Sequence, residues 1–316
     1  LQTATSNAIG APYVLVAGSA NVDVSVSTAV LPRPGETVIG HGSFITLGGK
    51  GANQAVASVG CGAATHFVGR VGADAFGRMV IDGLRDRHVN IDEVGVIADA
   101  TTGLATISVE DSSKNCIIVV PGANERLTPL DMEEIRPLIR GAAMMVLQCE
   151  IPMETVYRAI ALAADFGTPV ILNPAPYRGL DLGRIARSVT YLVPNETEAA
   201  AIWGRQVESV EQAKDCASWL HANGIECVII TLGAEGCVIA DDQPARHYPG
   251  HRVAAIDTTG AGDAFIGCLA ASLAAGRPRD ESLRRALLYS ALSTTRRGAQ
   301  ASYPERQEFA RAWNGS

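Results

Sequence analysis

Nowhere in its 316 residues does this chain carry an uninterrupted apolar run of the roughly 18 residues that a membrane-spanning helix needs. The longest candidates are broken by Gly, Asp or Asn, which argues against a membrane partner. Basic charge is in deficit as well: 26 Lys and Arg stand against 33 Asp and Glu, a formal net charge of -7. That balance leaves no electrostatic footprint for nucleic acid or an anionic lipid surface. The seven cysteines (Cys61, Cys116, Cys149, Cys216, Cys227, Cys237 and Cys268) include no Cys-x-x-Cys pair. Odd in number, with several set in apolar runs, they read as reduced core residues of a cytoplasmic protein. Leu1 to Gly10 lack the basic-then-apolar order of a signal peptide and read as a disordered leader.

Two common phosphate-binding motifs are missing too. Lys50 is followed by Gly51 rather than Ser or Thr, and Phe44 stands where a P-loop needs its first glycine. The turn after the first strand reads Gly18-Ser19-Ala20-Asn21-Val22-Asp23, without the glycine spacing of a dinucleotide fingerprint. P-loop NTPases and nicotinamide-dependent dehydrogenases therefore lose their main support.

What is present is a composition 47% apolar, enough to bury a sizeable core in one domain over residues 11–316. Strand-length apolar runs at Val14–Ala17, Met144–Gln148, Val170–Asn173, Tyr191–Val193 and Val228–Leu232 alternate with helical patterns at Val156–Asp165, Glu196–Trp203, Glu211–Asn223 and Leu283–Thr294. Such alternation predicts an α/β fold with a mostly parallel sheet covered by helices on both faces, ligands sitting beyond the strand C-terminal ends. Two segments break the rhythm. Val22 to Phe44 and Leu104 to Val120 alternate with period two, the second around an Asp111-Ser112-Ser113-Lys114 turn. They predict antiparallel strands forming a small lid sheet over the site.

The densest chemistry lies at Asp257-Thr258-Thr259-Gly260-Ala261-Gly262-Asp263, which opens an apolar helix read as Ala264–Ala275. Backbone N–H groups of Gly260, Ala261 and Gly262 can converge on one anion there, assisted by the helix terminus. Asp263 beside them can take the proton of an attacking hydroxyl. An N-cap aspartate above a tight turn is the plainer reading. Gly48-Gly49-Lys50-Gly51-Ala52-Asn53 adds a close-approach turn and a fixed cation. Asn21 and Asp23 alternate onto one face of an extended segment, where an amide and a carboxylate can grip neighbouring hydroxyls. Asn195 and Glu198 have capping-box spacing, and the same geometry lets Glu198 order water on Mg²⁺ while Asn195 meets nucleotide phosphates. Thr231-Leu232-Gly233-Ala234-Glu235-Gly236 opens room at another strand end, and Glu150 follows the Met144–Gln148 strand.

In this order these pieces, with Pro121-Gly122-Ala123-Asn124, Leu172-Asn173-Pro174-Ala175-Pro176 and Arg296-Arg297-Gly298-Ala299-Gln300, resemble the ribokinases of the PfkB carbohydrate kinase family over nearly the whole chain. The resemblance implies a three-layer ribokinase-like α/β/α fold and ATP-dependent phosphorylation of the 5-hydroxyl of D-ribose, with deoxyribose, another sugar or a nucleoside as alternative acceptors. A catalytically silent sugar-binding protein is the competing class, disfavoured by an intact Asp263 and its glycines. By resemblance, Asn21, Asp23, Gly49, Lys50, Asn53, Glu150 and Asp263 contact the sugar, Asp263 also being the base. Asn195, Thr231, Gly233, Gly236 and Gly262 hold the nucleotide. K⁺ sits among Asp257, Thr259, Ser293, Arg296, Gly298 and Ser302, largely through carbonyls. The resemblance further implies Mg²⁺ with the ATP and a homodimer paired through the lid. Leu287 stands where some relatives carry a polar residue near the adenine.

Overall fold

The computed structural model describes residues 11–112 and 114–315. The leader and Ser113 of the expected turn lie outside the described residues. Among these, nine strands form one sheet. Seven run parallel, in the spatial order Cys227–Thr231, Tyr191–Leu192, Val170–Asn173, Met144–Gln148, Tyr13–Ala17, Ala64–Gly72 and Asn90–Ile97. Cys237–Ala240 and Arg246–Tyr248 extend the first edge antiparallel.

Alternation along each buried strand assigns side chains to opposite faces, and the first strand shows the rule. Val14 and Val16 enter one apolar cluster with helices Lys50–Gly60, Ala75–Asp86, Ala261–Ala274 and Arg279–Ser293. Leu15 and Ala17 enter a second with Met153–Phe166, Glu196–Trp203 and Val210–Ala222. Three layers result, as the alternation of elements predicts. Leu287 falls in the first cluster, 8% exposed.

The lid is a four-stranded sheet. Asn21–Thr28 pairs antiparallel with Gly40–Gly48, and Gly103–Glu110 pairs antiparallel with Asn115–Val120. The two hairpins join along a parallel seam between Asn21–Thr28 and Gly103–Glu110. The Glu110 N–H donates to the Lys114 carbonyl at 2.8 Å, closing the expected turn. Three residues separate Asn21–Thr28 from the strand that precedes it, so the lid grows directly out of an interior strand of the main sheet, third from one edge. The segment Asn115–Val120 is exposed along its whole length, Cys116 included, which corrects the expectation that the cysteines are core residues throughout. No helix of the described residues is long and apolar enough to cross a membrane.

Candidate active site

Four of five neighbouring parallel strands, with Tyr191–Leu192 lying between two of them, present polar residues at or just past their C-terminal ends around one cleft. Ser19 and Asn21 follow the first strand, Glu150 follows Met144–Gln148, Asn173 closes Val170–Asn173, and Thr231 closes Cys227–Thr231. Helix Ala261–Ala274 aims its N-terminus into this space. Its cap is Gly260 at φ +74°, a left-handed conformation that glycine takes without a Cβ penalty. A Cβ there would also lie 2.7 Å from the Ala299 Cβ. Asp263 is therefore the third helical residue and not the N-cap, and the helix starts three residues before the expected Ala264.

The three expected anion-hole donors are not equivalent. The Ala261 N–H donates to the Thr258 carbonyl at 3.1 Å, closing a turn. Helix geometry leaves the N–H groups of Gly262 and Asp263 without an intrahelical acceptor, and among the described residues neither has another. The Gly260 carbonyl is fixed by the Tyr303 hydroxyl at 3.0 Å.

Asp263 is 6% exposed, and both of its carboxylate oxygens accept hydrogen bonds. Asn53 Nδ2 donates to Oδ2 at 3.0 Å, and Gln54 Nε2 donates to Oδ1 at 2.9 Å. Helix Lys50–Gly60 brings both amides within reach because it crosses Ala261–Ala274 at Gly267, where an added Cβ would lie 2.5 Å from the Ala57 Cβ. Gln54, Gln148, Asn173 and Gln300 form a buried amide network behind the carboxylate that sequence reasoning missed. The available signal was a polar residue closing each of two apolar strands, Gln148 and Asn173.

Lys50 lines the cleft with Asn195, Glu198, Thr231, Gly260, Ala261, Gly262 and Asp263, around a volume of about 190 Å³. The Asp263 charge pushes the Lys50 ammonium up, against its burial, and Glu150 and Glu198 add to the effect, so Lys50 carries its charge at neutral pH. Its backbone N–H donates to Glu150 Oε2 at 3.1 Å, and that oxygen also accepts from the Ser19 hydroxyl at 2.5 Å. Gly49 takes φ +85°, and a Cβ there would lie 2.7 Å from the Asn21 nitrogen. The lid supplies Asn21 and Asp23. Asn21 Oδ1 accepts from Asn124 Nδ2 at 2.7 Å, which fixes the Asn21 amide with its Nδ2 unclaimed by that bond. Burial pushes the Asp23 carboxyl up to about 6, with the Glu150 and Asp263 charges adding to it.

On the side where the sequence leads one to expect the nucleotide, the plain capping box is present in full. Asn195 Oδ1 accepts from the Glu198 N–H at 2.8 Å, and Glu198 Oε2 accepts from the Asn195 N–H at 3.0 Å. Glu198 is nevertheless 8% exposed, and burial holds its carboxyl above the usual range. Gly233 at φ +52° has open space where a Cβ would stand, while at Gly236 an added Cβ would collide with the Tyr248 carbonyl.

In the expected cation loop, Asp257 joins two segments. Its Oδ1 accepts from the Thr259 N–H at 2.9 Å and Oγ1 at 2.6 Å, and its Oδ2 accepts from the Gly298 N–H at 2.8 Å. Burial works to raise this carboxyl, and those hydrogen bonds outweigh it and hold the group below its ordinary value. The Arg296 guanidinium turns outward to Glu308. Ser293 and Ser302 donate their hydroxyls to the Ser290 and Ala299 carbonyls, at 2.7 and 2.8 Å.

The chain as a whole has counterparts among known proteins. The model for the pfkB family carbohydrate kinase matches residues 11–306. The ribokinase of Haemophilus influenzae is 36% identical over 293 residues, covering 93% of this chain and 95% of the relative. The deoxyribokinase of Salmonella typhi is 36% identical over 297 residues, covering 94% and 97%. The structure of Arabidopsis thaliana ribokinase complexed with ribose and ATP superposes with a TM-score of 0.88 at 31% identity, covering 95% of this chain and 98% of that one. On the extent of these matches, this chain belongs to the pfkB family of carbohydrate kinases.

Proposed function

We propose that the protein is an ATP-dependent ribokinase transferring the γ-phosphoryl group of ATP to the 5-hydroxyl of D-ribose. The observation that carries this reading is a buried carboxylate, Asp263, directly beside unpartnered N–H groups at a helix N-terminus. Asp263 takes the proton of the attacking hydroxyl as the new O–P bond forms, and the bond from phosphorus to the ADP oxygen breaks with its electron pair. The Gly262 and Asp263 N–H groups meet the charge that spreads over the phosphoryl oxygens, and Lys50 adds a fixed positive charge. Asn21, Asp23, Gly49, Asn53 and Glu150 hold the sugar beneath the lid. Asn195, Thr231, Gly233 and Gly236 frame the nucleotide side.

Two cations belong to this reading. Glu198 lines the cleft with a buried carboxylate, which suits it to hold water on Mg²⁺. Mg²⁺ held there would supply positive charge against the ATP phosphates. The Asp257 loops fit K⁺ because one carboxylate already draws both together and the Arg296 guanidinium is turned away to Glu308. Residues 259, 296 and 298 would offer carbonyl oxygens, a hard-ligand set.

A homodimer through the lid accounts for its exposed apolar strand, where Ile118 is 67% exposed and Ile117 is 55% exposed. Ile118→Glu is expected to shift sedimentation toward monomer, and an unchanged oligomeric state contradicts the lid interface. Five buried free thiols suit a reducing, cytoplasmic location.

Deoxyribose is the second acceptor worth carrying, because a deoxyribokinase matches this chain at the same 36% identity as a ribokinase. ADP release measured on D-ribose, 2-deoxy-D-ribose, other pentoses and nucleosides tests the assignment. Ribose is expected to give the highest kcat/KM, and turnover on no pentose refutes it.

A further inference from the structure

Gln54 does not line the cleft, yet its side-chain amide bonds directly to the Asp263 carboxylate. It is 0% exposed. Nε2 donates to Asp263 Oδ1 at 2.9 Å and lies 3.3 Å from Asn173 Oδ1, while Oε1 accepts from Gln148 Nε2 at 2.7 Å. Its two N–H donors and its carbonyl are thus all used.

The orientation of this amide follows from partners that cannot turn round. Asn173 Nδ2 donates to the Val193 carbonyl at 2.9 Å, and a carbonyl only accepts, so Asn173 must present Oδ1 to Gln54. Asp263 as a carboxylate only accepts as well. Gln54 must therefore direct both N–H groups toward these two oxygens and its carbonyl toward Gln148. Gln148 and Asn173 are the terminal residues of adjacent parallel strands and are in register with each other. The rigid edge of the main sheet, through two amides, thereby dictates the direction of one Asp263 oxygen. On the opposite side Gln300 Nε2 donates to Asn53 Oδ1 at 3.0 Å, and Asn53 Nδ2 completes the grip on Oδ2.

Neutral donors are apt for this task. A cation packed against Oδ1 would orient the carboxylate but also draw its electron density away from the incoming proton. The amide orients at lower electrostatic cost, leaving Lys50 as the cation lining the cleft. We propose that Gln54 is a positioning residue for the transfer step, aiming the Asp263 carboxylate at the acceptor hydroxyl without touching either substrate. This inference rests on the reading of Asp263 as the base.

Two variants test it against a purely structural role. Gln54→Met keeps the volume and removes the donor, and kcat on the best sugar is expected to fall 10- to 100-fold with the sugar KM within threefold. Gln54→Glu places a second carboxyl against Asp263, so the two share a proton and the acid limb of the kcat–pH profile moves upward by at least one pH unit. A merely structural glutamine would lower the melting temperature in both variants while leaving kcat and its pH profile unchanged well below that temperature. That result overturns the proposal. Should neither variant fold, Gln148→Met carries the test, because it removes the donor that holds the Gln54 carbonyl: kcat reduced threefold or more with KM retained supports positioning through Gln54, and parent-like kcat overturns it. Parent protein is assayed in parallel on every sugar. Its failure to turn over any of them sinks the kinase reading, whereas parent turnover with unaltered variants sinks only the role of Gln54.

Discussion

Replacing Asp263 by Asn separates the chemistry of the carboxylate from its part in the fold. Both Asp263 oxygens accept N–H donors, from Asn53 and from Gln54. An asparagine amide retains one acceptor and turns the other into a donor, which then faces an N–H group. Gln54 cannot invert to accommodate it, because Asn173 and Gln148 hold it from the sheet edge. Asn53 can. Its inversion presents Oδ1 to the new amide and Nδ2 to Gln300, whose Oε1 is buried without a partner and is free to turn inward as the acceptor. The exchange leaves one donor of Gln300 unpaired in place of one acceptor, so the stability cost is about 1 kcal/mol, the scale of a single buried hydrogen bond. The catalytic cost is different in kind. Loss of the base is expected to lower kcat by roughly 10² to 10⁴, with the sugar dissociation constant changing about tenfold at most. Steady-state ADP release, sugar binding by calorimetry and thermal unfolding read the three quantities separately. A folded Asp263→Asn protein with turnover within a factor of about three of the parent refutes the base assignment.

Glu198→Gln is expected to raise the Mg²⁺ concentration for half-maximal rate and leave sugar binding intact. Overlapping Mg²⁺ titrations, with only a lower melting temperature, reduce Glu198 to its capping box. Asp23 sets a pH dependence: its folded-state value near 6 lies above the ordinary carboxylate value, so its contribution to stability is full below that ordinary value and is lost as pH rises through about 6. Sugar affinity moves the opposite way, since the ionised carboxylate is the better acceptor for hydroxyls. Calorimetry between pH 5 and 8 should show tighter sugar binding at the higher pH, and flat affinity removes Asp23 from the sugar contacts. K⁺ is expected to raise turnover at constant ionic strength and Na⁺ to do so poorly. Equal rates in K⁺, Na⁺ and a bulky organic cation remove the Asp257 cage, because a screened Arg296-Arg297 loop responds alike to all of them.

Some parts of this molecule are written locally and others only in three dimensions. Strands Met144–Gln148 and Val170–Asn173 and helix Glu196–Trp203 are legible residue for residue, because they are short apolar runs bounded by turn or capping signals. Strand Ala64–Gly72 is not: His66, Gly69 and Arg70 interrupt its apolar pattern, and its place beside Tyr13–Ala17 is fixed by packing. The start of Ala261–Ala274 reads too late for a similar reason. Gly262 has low helix propensity, but the left-handed cap at Gly260 and the Ser290 hydroxyl on the Ala261 carbonyl at 2.8 Å begin the helix before it. Asp263, Lys50 and the Asn195–Glu198 pair stand out because charge beside glycine or at capping spacing is a local signal. Gln54, Gln148, Asn173 and Gln300 carry no charge and lie far apart in sequence, so their network exists only once two strand ends, two helices and the C-terminal loop meet.

The most direct test of the kinase reading is ³¹P and ¹³C NMR of the parent protein incubated with ATP, Mg²⁺, K⁺ and uniformly ¹³C-labelled D-ribose. A new phosphomonoester signal coupled to C5 of the sugar is expected, growing in step with ADP. ATP converted to ADP and free phosphate with the sugar unchanged, or no conversion at all, would contradict it.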